Sequence, residues 1–139
     1  ISSQKEDFYP ANDIEIVSAV DVNYEKILTQ SSLMVTDYSG VQFDFAYMRK
    51  PVVYFHPPQL PPHYVEGGFF YDTQGFGEIC RETGELVDLL CEYMEKGCRL
   101  KSFYRARQDD FFAFDDQESC RRIYEDALEY QREHAGERI

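Results

Sequence analysis

The run Val35-Thr36-Asp37-Tyr38-Ser39-Gly40-Val41-Gln42-Phe43-Asp44-Phe45 decides how this chain folds. It opens inside a compact apolar stretch of strand length, Leu33-Met34-Val35-Thr36, which ends at Asp37. Tyr38-Ser39-Gly40 is a small-residue turn. Beyond it Val41, Phe45 and Met48 recur at i, i+4 and i+7, one stripe of a helix. Lys50-Pro51 closes that helix, since proline removes an amide and clashes with the turn before it, and Val52-Val53-Tyr54-Phe55 is a second strand-like run.

On the N-terminal side, Ile14 to Ser18 predicts a short strand. Asp21-Val22-Asn23 then opens a short helix with Tyr24, Ile27 and Leu28 on one face. Strand, helix, strand, helix, strand over residues 14–55 predicts a parallel, doubly wound α/β sheet with right-handed crossovers, a Rossmann-like sheet flanked by helices.

On the C-terminal side the chemistry changes. His56-Pro57-Pro58-Gln59-Leu60-Pro61-Pro62 and Glu66-Gly67-Gly68 are turn formers, so residues 56–84 are expected as one long ordered loop with a functional role. Helical periodicity returns with Leu86, Leu89, Leu90, Tyr93 and Met94, closed by Gly97. Leu100, Phe103, Tyr104, Arg107 and Phe111 predict another helix. Asp115 and Asp116 cap a last one bearing Cys120, Ile123, Tyr124, Ala127 and Leu128. The polar tail 131–139 is expected to fray. No repeat or low-complexity segment interrupts the chain, and residues 1–139 read as a single domain.

Composition narrows the function. Hydrophobic residues at 43% and charged residues at 29% describe a globular fold with a core. The 11 Tyr and 11 Phe are expected to fill that core or line a stacking pocket, the core being the commoner use. A net charge of −12, from 26 acidic and 14 basic residues, argues against nucleic acid as a partner and against docking of this piece on an anionic membrane. A small phosphate-bearing ligand stays admissible, because amides at a helix start hold phosphate without net positive charge. No apolar window reaches the ~18 residues of a membrane span, and Ile1 to Asp7 carry no signal-peptide core. The missing initiator Met marks a segment expected to come from something longer. Cys80, Cys91, Cys98 and Cys120 have no metal or disulfide grammar and read as free thiols in a reducing compartment.

Chemistry concentrates at the first junction. Ligands of open α/β sheets bind outside the carboxyl ends of the strands. There Ser39 and Gly40 expose the first amides of a helix, where the macrodipole favours an anion. The Ser39 hydroxyl can donate to a phosphate oxygen, Gly40 lacks a Cβ that would keep a phosphate away, and Asp44 one turn on can accept from a ligand hydroxyl. The competing reading makes Ser39 a plain N-cap and Asp44 a solvated helix residue. The junction is neither a Walker A loop, nor a G-x-G-x-x-G turn, nor a G-x-S-x-G elbow.

Asp21-Val22-Asn23, the Val35–Phe45 run and Lys50-Pro51-Val52-Val53-Tyr54-Phe55 closely resemble the C-terminal half of CDP-glycerol glycerophosphotransferases, the type that primes or polymerises teichoic acid. That family shows a D-V-N segment, a V-T-D-Y-S-S-x-x-F-D-F block and an [RK]-P-[IV] strand. Gly68-Phe69-Phe70-Tyr71-Asp72 resembles its G-F-Y-F-D loop. Arg105, Phe111-Phe112, Asp115-Asp116, Ser119 and Arg122 resemble its closing segment, so the likeness spans residues 14–128. Two departures stand out: Gly40 replaces the second Ser, and no Asp occupies the loop near Gln59.

The resemblance implies the C-terminal half of a GT-B-type transferase. That half would hold the CDP-glycerol donor through Ser39, Gly40 and Asp44, with Thr36 and Asp37 shaping the turn. It implies transfer of glycerol phosphate to a lipid-linked polyol phosphate acceptor, release of CMP and no cofactor beyond the donor itself; no metal is expected, since no cluster of carboxylates or histidines has ligand spacing. The implied location is the cytoplasmic face of the cell membrane. The family's catalytic histidine matches nothing here and is expected upstream of Ile1, in the other half of the enzyme, leaving no catalytic residue and no turnover in this piece. His56, at a strand's carboxyl end, has the place of a base but reads as structural beside its prolines, and His63 and His134 match no family position. A sugar-nucleotide glycosyltransferase domain and a non-catalytic α/β interaction domain are the competing functions.

Overall fold

The computed structural model describes residues 13–17, 21–60 and 68–135. Three strands, β1 (Met34–Thr36), β2 (Val52–Phe55) and β3 (Ile79–Cys80), form a parallel sheet in the order β1-β2-β3. Met34 pairs with Val52 and Tyr54 with Ile79. The strand order advances in one direction, so the reversal that defines a doubly wound sheet does not occur among the described residues. Residues 14–17, expected as a strand, are irregular. Ile14 and Val17 are exposed, with no sheet face to cover them, and Ser18 lies outside the described residues.

Central strand β2 explains the architecture. Val52 and Tyr54 point to one face and Val53 to the other, and all three are fully buried, as a strand covered on both sides must be. On the first face α2 (Val41–Tyr47) lays Phe45 and Ala46 against Val52, Tyr54 and Phe76. The buried edge of α2 also includes Gln42, while Val41 and Met48 are only half-buried. On the second face α4 (Thr83–Glu95) packs Leu86, Leu89 and Tyr93 on Val53 and Cys80. Gly97, at φ 69°, closes that helix in the left-handed conformation that the sequence anticipated there.

Short helix α1 (Tyr24–Gln30) is fixed at both ends. Asn23 Oδ1 accepts from the Lys26 amide at 2.8 Å, a side-chain N-cap. At the far end Lys50 Nζ donates to the carbonyls of Leu28, Thr29 and Ser31 at 2.7, 2.7 and 2.8 Å. A cation suits those orphan carbonyls and the negative end of the helix dipole. The Lys-Pro pair thus ends one helix and caps another.

The expected loop 56–84 contains two elements, α3 (Tyr71–Gln74) and β3, and the start of α4. A two-residue strand is too short to show alternation. Its place is set by backbone bonds, Tyr54 N–H to Glu78 O and His56 N–H to Cys80 O, both 2.8 Å. Gly77 allows the approach, because a Cβ there would overlap the Val52 carbonyl oxygen.

Helix α5 (Ser102–Phe111) buries Gln108, whose Nε2 donates to the Lys50 carbonyl at 3.1 Å. Asp116 accepts from the Glu118 amide and pairs with Arg122 at 2.9 Å, so it shapes the turn before α6 (Ser119–Glu133) while Glu118 takes the cap position. Asp115 instead faces Arg49 at 3.4 Å. Helix α6 continues through residues 131–133, past the expected fraying point, and ends with the N–H of His134 on the Tyr130 carbonyl.

Candidate functional site

The β1–α2 junction is built as the sequence implied, with one exchange of roles. Gly40, not Ser39, occupies the N-cap, at φ −64° and ψ −18°. The Ser39 oxygen lies 3.5 Å from the Val41 amide, a contact at the outer limit of hydrogen bonding, so its hydroxyl proton stays available. The next two amides are used locally: Gln42 N–H reaches the Ser39 carbonyl at 3.3 Å and Phe43 N–H the Gly40 carbonyl at 3.1 Å. The Ser39 and Gly40 amides have no acceptor among the described residues. Gly40 is exposed, and a Cβ on it would meet no atom within 4 Å. Its backbone therefore does not demand glycine, and the space above it is open.

Two recesses flank the junction. One, of about 550 Å³, lies at the carboxyl ends of β1 and β2, lined by Val35, Thr36, Asp37, Phe55, Pro57 and Leu60. The other, about 490 Å³, lies between α1 and α2 and includes Asp44, Glu25, Phe43 and Phe112. Asp44 is exposed, and the recess it lines is not the one at the strand ends. The structure thus places Ser39 and Gly40 together at the turn and Asp44 one helical turn on, in the recess between α1 and α2.

Behind the turn stands a polar and aromatic group of which the sequence singled out only His56, as structural. His56 is 8% exposed, and its Nε2 lies 3.1 Å from the Asp37 carbonyl. A carbonyl only accepts, so Nε2 carries the proton in this contact. The imidazole stacks on Tyr38 with ring centroids 4.0 Å apart and 16° between planes, and meets Tyr71 edge-on at 4.8 Å. Burial pulls the His56 pKa below its ordinary value, partly opposed by the Asp37 carbonyl.

Deeper in, Tyr54 Oη donates to Gln42 Oε1 at 2.6 Å and accepts from the Phe76 amide at 3.1 Å. Gln42 Nε2 reaches Tyr71 Oη at 3.1 Å. Burial drives the Tyr54 phenol far above its usual pKa, so it remains a donor. Arg107 completes the floor, donating to the Gly75 and Asp72 carbonyls at 2.9 and 2.8 Å. One signal was readable: Gln42 shares a helical stripe with Phe45, Ala46 and Arg49, where an apolar residue is expected.

Other chemistry is sparse. Among the described residues no group of three or more His, Cys, Asp or Glu side chains is placed to hold a metal ion, and no helix is long and apolar enough to cross a membrane. All four cysteines are free, Cys80 buried and Cys91 and Cys120 exposed. His63 lies outside the described residues, and His134 stacks on Tyr130 at the end of α6.

Comparison with known proteins bears on what this junction serves. Residues 1–129 match the family described as CDP-glycerol:poly(glycerophosphate) glycerophosphotransferase. The chain is 35% identical over 134 residues to the minor teichoic acid biosynthesis protein GgaB of Bacillus subtilis (strain 168), covering 88% of this chain and 15% of that protein. It is 29% identical over 89 residues to the teichoic acid ribitol-phosphate primase of Bacillus spizizenii (strain W23), covering 60% of this chain and 23% of the primase. The chain thus spans less than a quarter of the length of either relative. No solved structure matches it.

Proposed function

This chain belongs to the CDP-glycerol:poly(glycerophosphate) glycerophosphotransferase family, and from that premise we propose that it is the donor-binding part of a teichoic acid transferase. The donor is CDP-glycerol, and the parent enzyme is of GT-B type with the catalytic histidine in its other half. The observation that carries the reading is the start of α2: a serine whose hydroxyl proton is uncommitted and two amides with no acceptor among the described residues, beside a glycine facing open space, at the carboxyl end of a parallel strand.

In the reaction the terminal hydroxyl oxygen of a polyol phosphate acceptor attacks the β-phosphorus of CDP-glycerol. A new P–O bond forms, the bond to the α-phosphate oxygen breaks, and CMP leaves while a base in the other half takes the hydroxyl proton. The Ser39 hydroxyl and the Ser39 and Gly40 amides bind the diphosphate and stabilise charge on the departing CMP. Asp44, on the flank of α2, accepts from a hydroxyl of the glycerol or ribose. The acceptor is lipid-linked, which puts the parent enzyme at the cytoplasmic face of the membrane.

Calorimetric titration of the full-length protein tests this. CDP-glycerol is expected to bind more tightly than CDP-ribitol or a UDP-sugar, and Ser39→Ala with Asp44→Ala to weaken it at least ~tenfold, the scale of one or two charge-assisted hydrogen bonds. Preference for a UDP-sugar would make the domain a glycosyltransferase. Preference for CDP-ribitol would replace the glycerol donor with a ribitol one. Unchanged affinity in a folded double variant would leave only an interaction domain. The isolated 139-residue chain is expected to release no CMP when given donor and acceptor.

A further inference from the structure

We propose that His56 is a positioning residue for donor binding, fixing the Asp37–Gly40 turn from the end of the neighbouring strand; the inference rests on the donor reading of that turn. The first observation is topological. His56 directly follows β2 and Asp37 directly follows β1, and the two strands are paired in register up to Thr36 and Tyr54. A bond from the His56 ring to the Asp37 carbonyl, 3.1 Å, therefore continues the sheet's cross-strand ties one step past its last backbone pair.

The second observation is the ring's enclosure. Its face is covered by Tyr38 at 4.0 Å and its edge by Tyr71 at 4.8 Å, with Tyr54 beyond at 5.7 Å. Tyr38 lies between Asp37 and Ser39, so the stack and the hydrogen bond grip two consecutive residues of the turn. With the Asp37–Tyr38 peptide plane held by the hydrogen bond and the Tyr38 side chain held by the stack, the backbone that carries the Ser39 amide is anchored one residue away. Tyr71 in turn receives the Gln42 amide from inside α2. One imidazole thereby links the strand end, the turn and the first turn of the helix.

These contacts also separate His56 from a catalytic role. Its Nε2 proton is committed to a backbone carbonyl, and the ring is 8% exposed. It touches the residues proposed to touch the donor, not the reacting atoms. Pre-ordering of a binding loop acts on affinity, because a fluctuating turn is ordered at the expense of binding free energy.

The test uses the full-length enzyme and initial rates of CMP release at varied CDP-glycerol. His56→Phe keeps a ring for the Tyr38 stack and removes the donor. It is expected to raise KM about fivefold, the size of one neutral hydrogen bond, with kcat within about twofold of wild type. His56→Gln, which restores an amide donor, recovers most of that loss. An unchanged KM in a folded His56→Phe protein, alongside a raised KM in Ser39→Ala, overturns the positioning role and leaves the donor site standing. An unchanged KM in Ser39→Ala removes the donor reading and the positioning role with it.

If the His56 variants do not fold, the wild-type enzyme decides by nitrogen NMR of the imidazole. The Nε2-protonated tautomer, with a shift on saturation by CDP-glycerol, supports the role. A ring protonated at Nδ1, or one blind to the donor, refutes it.

Discussion

Two glycines divide the molecule into two kinds of surface. At Gly40, on the strand-end side, an added Cβ meets nothing within 4 Å; at Gly77, a Cβ would coincide with the carbonyl of Val52. The first sits at a turn whose Ser39 and Gly40 amides have no acceptor among the described residues and whose serine keeps its hydroxyl proton uncommitted. The second sits where β2 and the segment leading to β3 press together among Phe76, Phe111 and Phe112, whose rings lie 5.2 to 5.8 Å apart. The contrast separates what must be filled for folding from what is left open for a ligand. Each substitution below attacks one side of that division.

The largest effect is expected at the closed side. Gly77→Ala puts a methyl group against backbone, not against a flexible side chain, so β2 and β3 must move apart and the Tyr54-to-Glu78 bond with them. A loss of more than ~3 kcal/mol is expected, at or beyond the upper end for overpacked cores. Urea unfolding reads it directly. A variant within ~1 kcal/mol of wild type would mean the approach is looser than the geometry implies.

Next comes the polar floor between the two regions. Tyr54→Phe removes one oxygen and strands two partners, Gln42 Oε1 and the Phe76 amide, inside the core. Leaving buried polar groups unpaired costs about 1–3 kcal/mol, so stability should fall by that amount with little change in secondary structure by circular dichroism. Gln42→Leu, which removes the other central member, should lose less when combined with Tyr54→Phe than the two single losses summed. Full additivity would show that the network is not one unit.

The third prediction concerns pH. His56 in the folded state has a lowered pKa, chiefly from burial, so near the ordinary imidazole value the unfolded chain binds a proton that the native one refuses. The unfolded state then holds more protons, and stability rises with pH. The contribution is complete above about pH 6.5 and is lost as pH falls through that value. His56→Gln should therefore flatten the stability profile as pH falls below about 6.5, measured as urea midpoints of both proteins at each pH. Parallel profiles for the two would show that the ring titrates as it does in water.

What was legible follows from the same physics. The strand–turn–helix at residues 33–48 could be read because its apolar period changes from strand to helix at a small-residue turn, and the parallel sheet followed from repeating that pattern. Strand β3 was hidden because two residues carry no period; backbone bonds to β2 place it. Over residues 14–17 the expected strand failed the other way, since apolar residues alone make no strand without a neighbour to pair with. At the site, Ser39 and Gly40 were found through their place at a strand's end, a local property. The roles of His56, Gln42 and Lys50 depend on partners 12 to 22 residues away in sequence, and spacing along the chain does not encode those.

The smallest effect sharpens the comparison most, because it asks whether the open side is open for a reason. Gly40 lies in ordinary right-handed backbone, its Cβ position is empty, and the family block has serine there. As a helix N-cap, Gly40→Ser should change stability by only a few tenths of a kcal/mol, upward if at all. Gly40→Ala lacks the capping oxygen and should be slightly destabilising, by about 0.5 kcal/mol or more. If the open space serves only solvent, both variants leave CDP-glycerol affinity where it was. If it receives a diphosphate, the two part ways: the serine hydroxyl adds a donor and tightens binding severalfold, while the alanine methyl occupies the approach and weakens it. Opposite signs in affinity, at nearly equal stability, are the outcome that a helix cap alone does not produce.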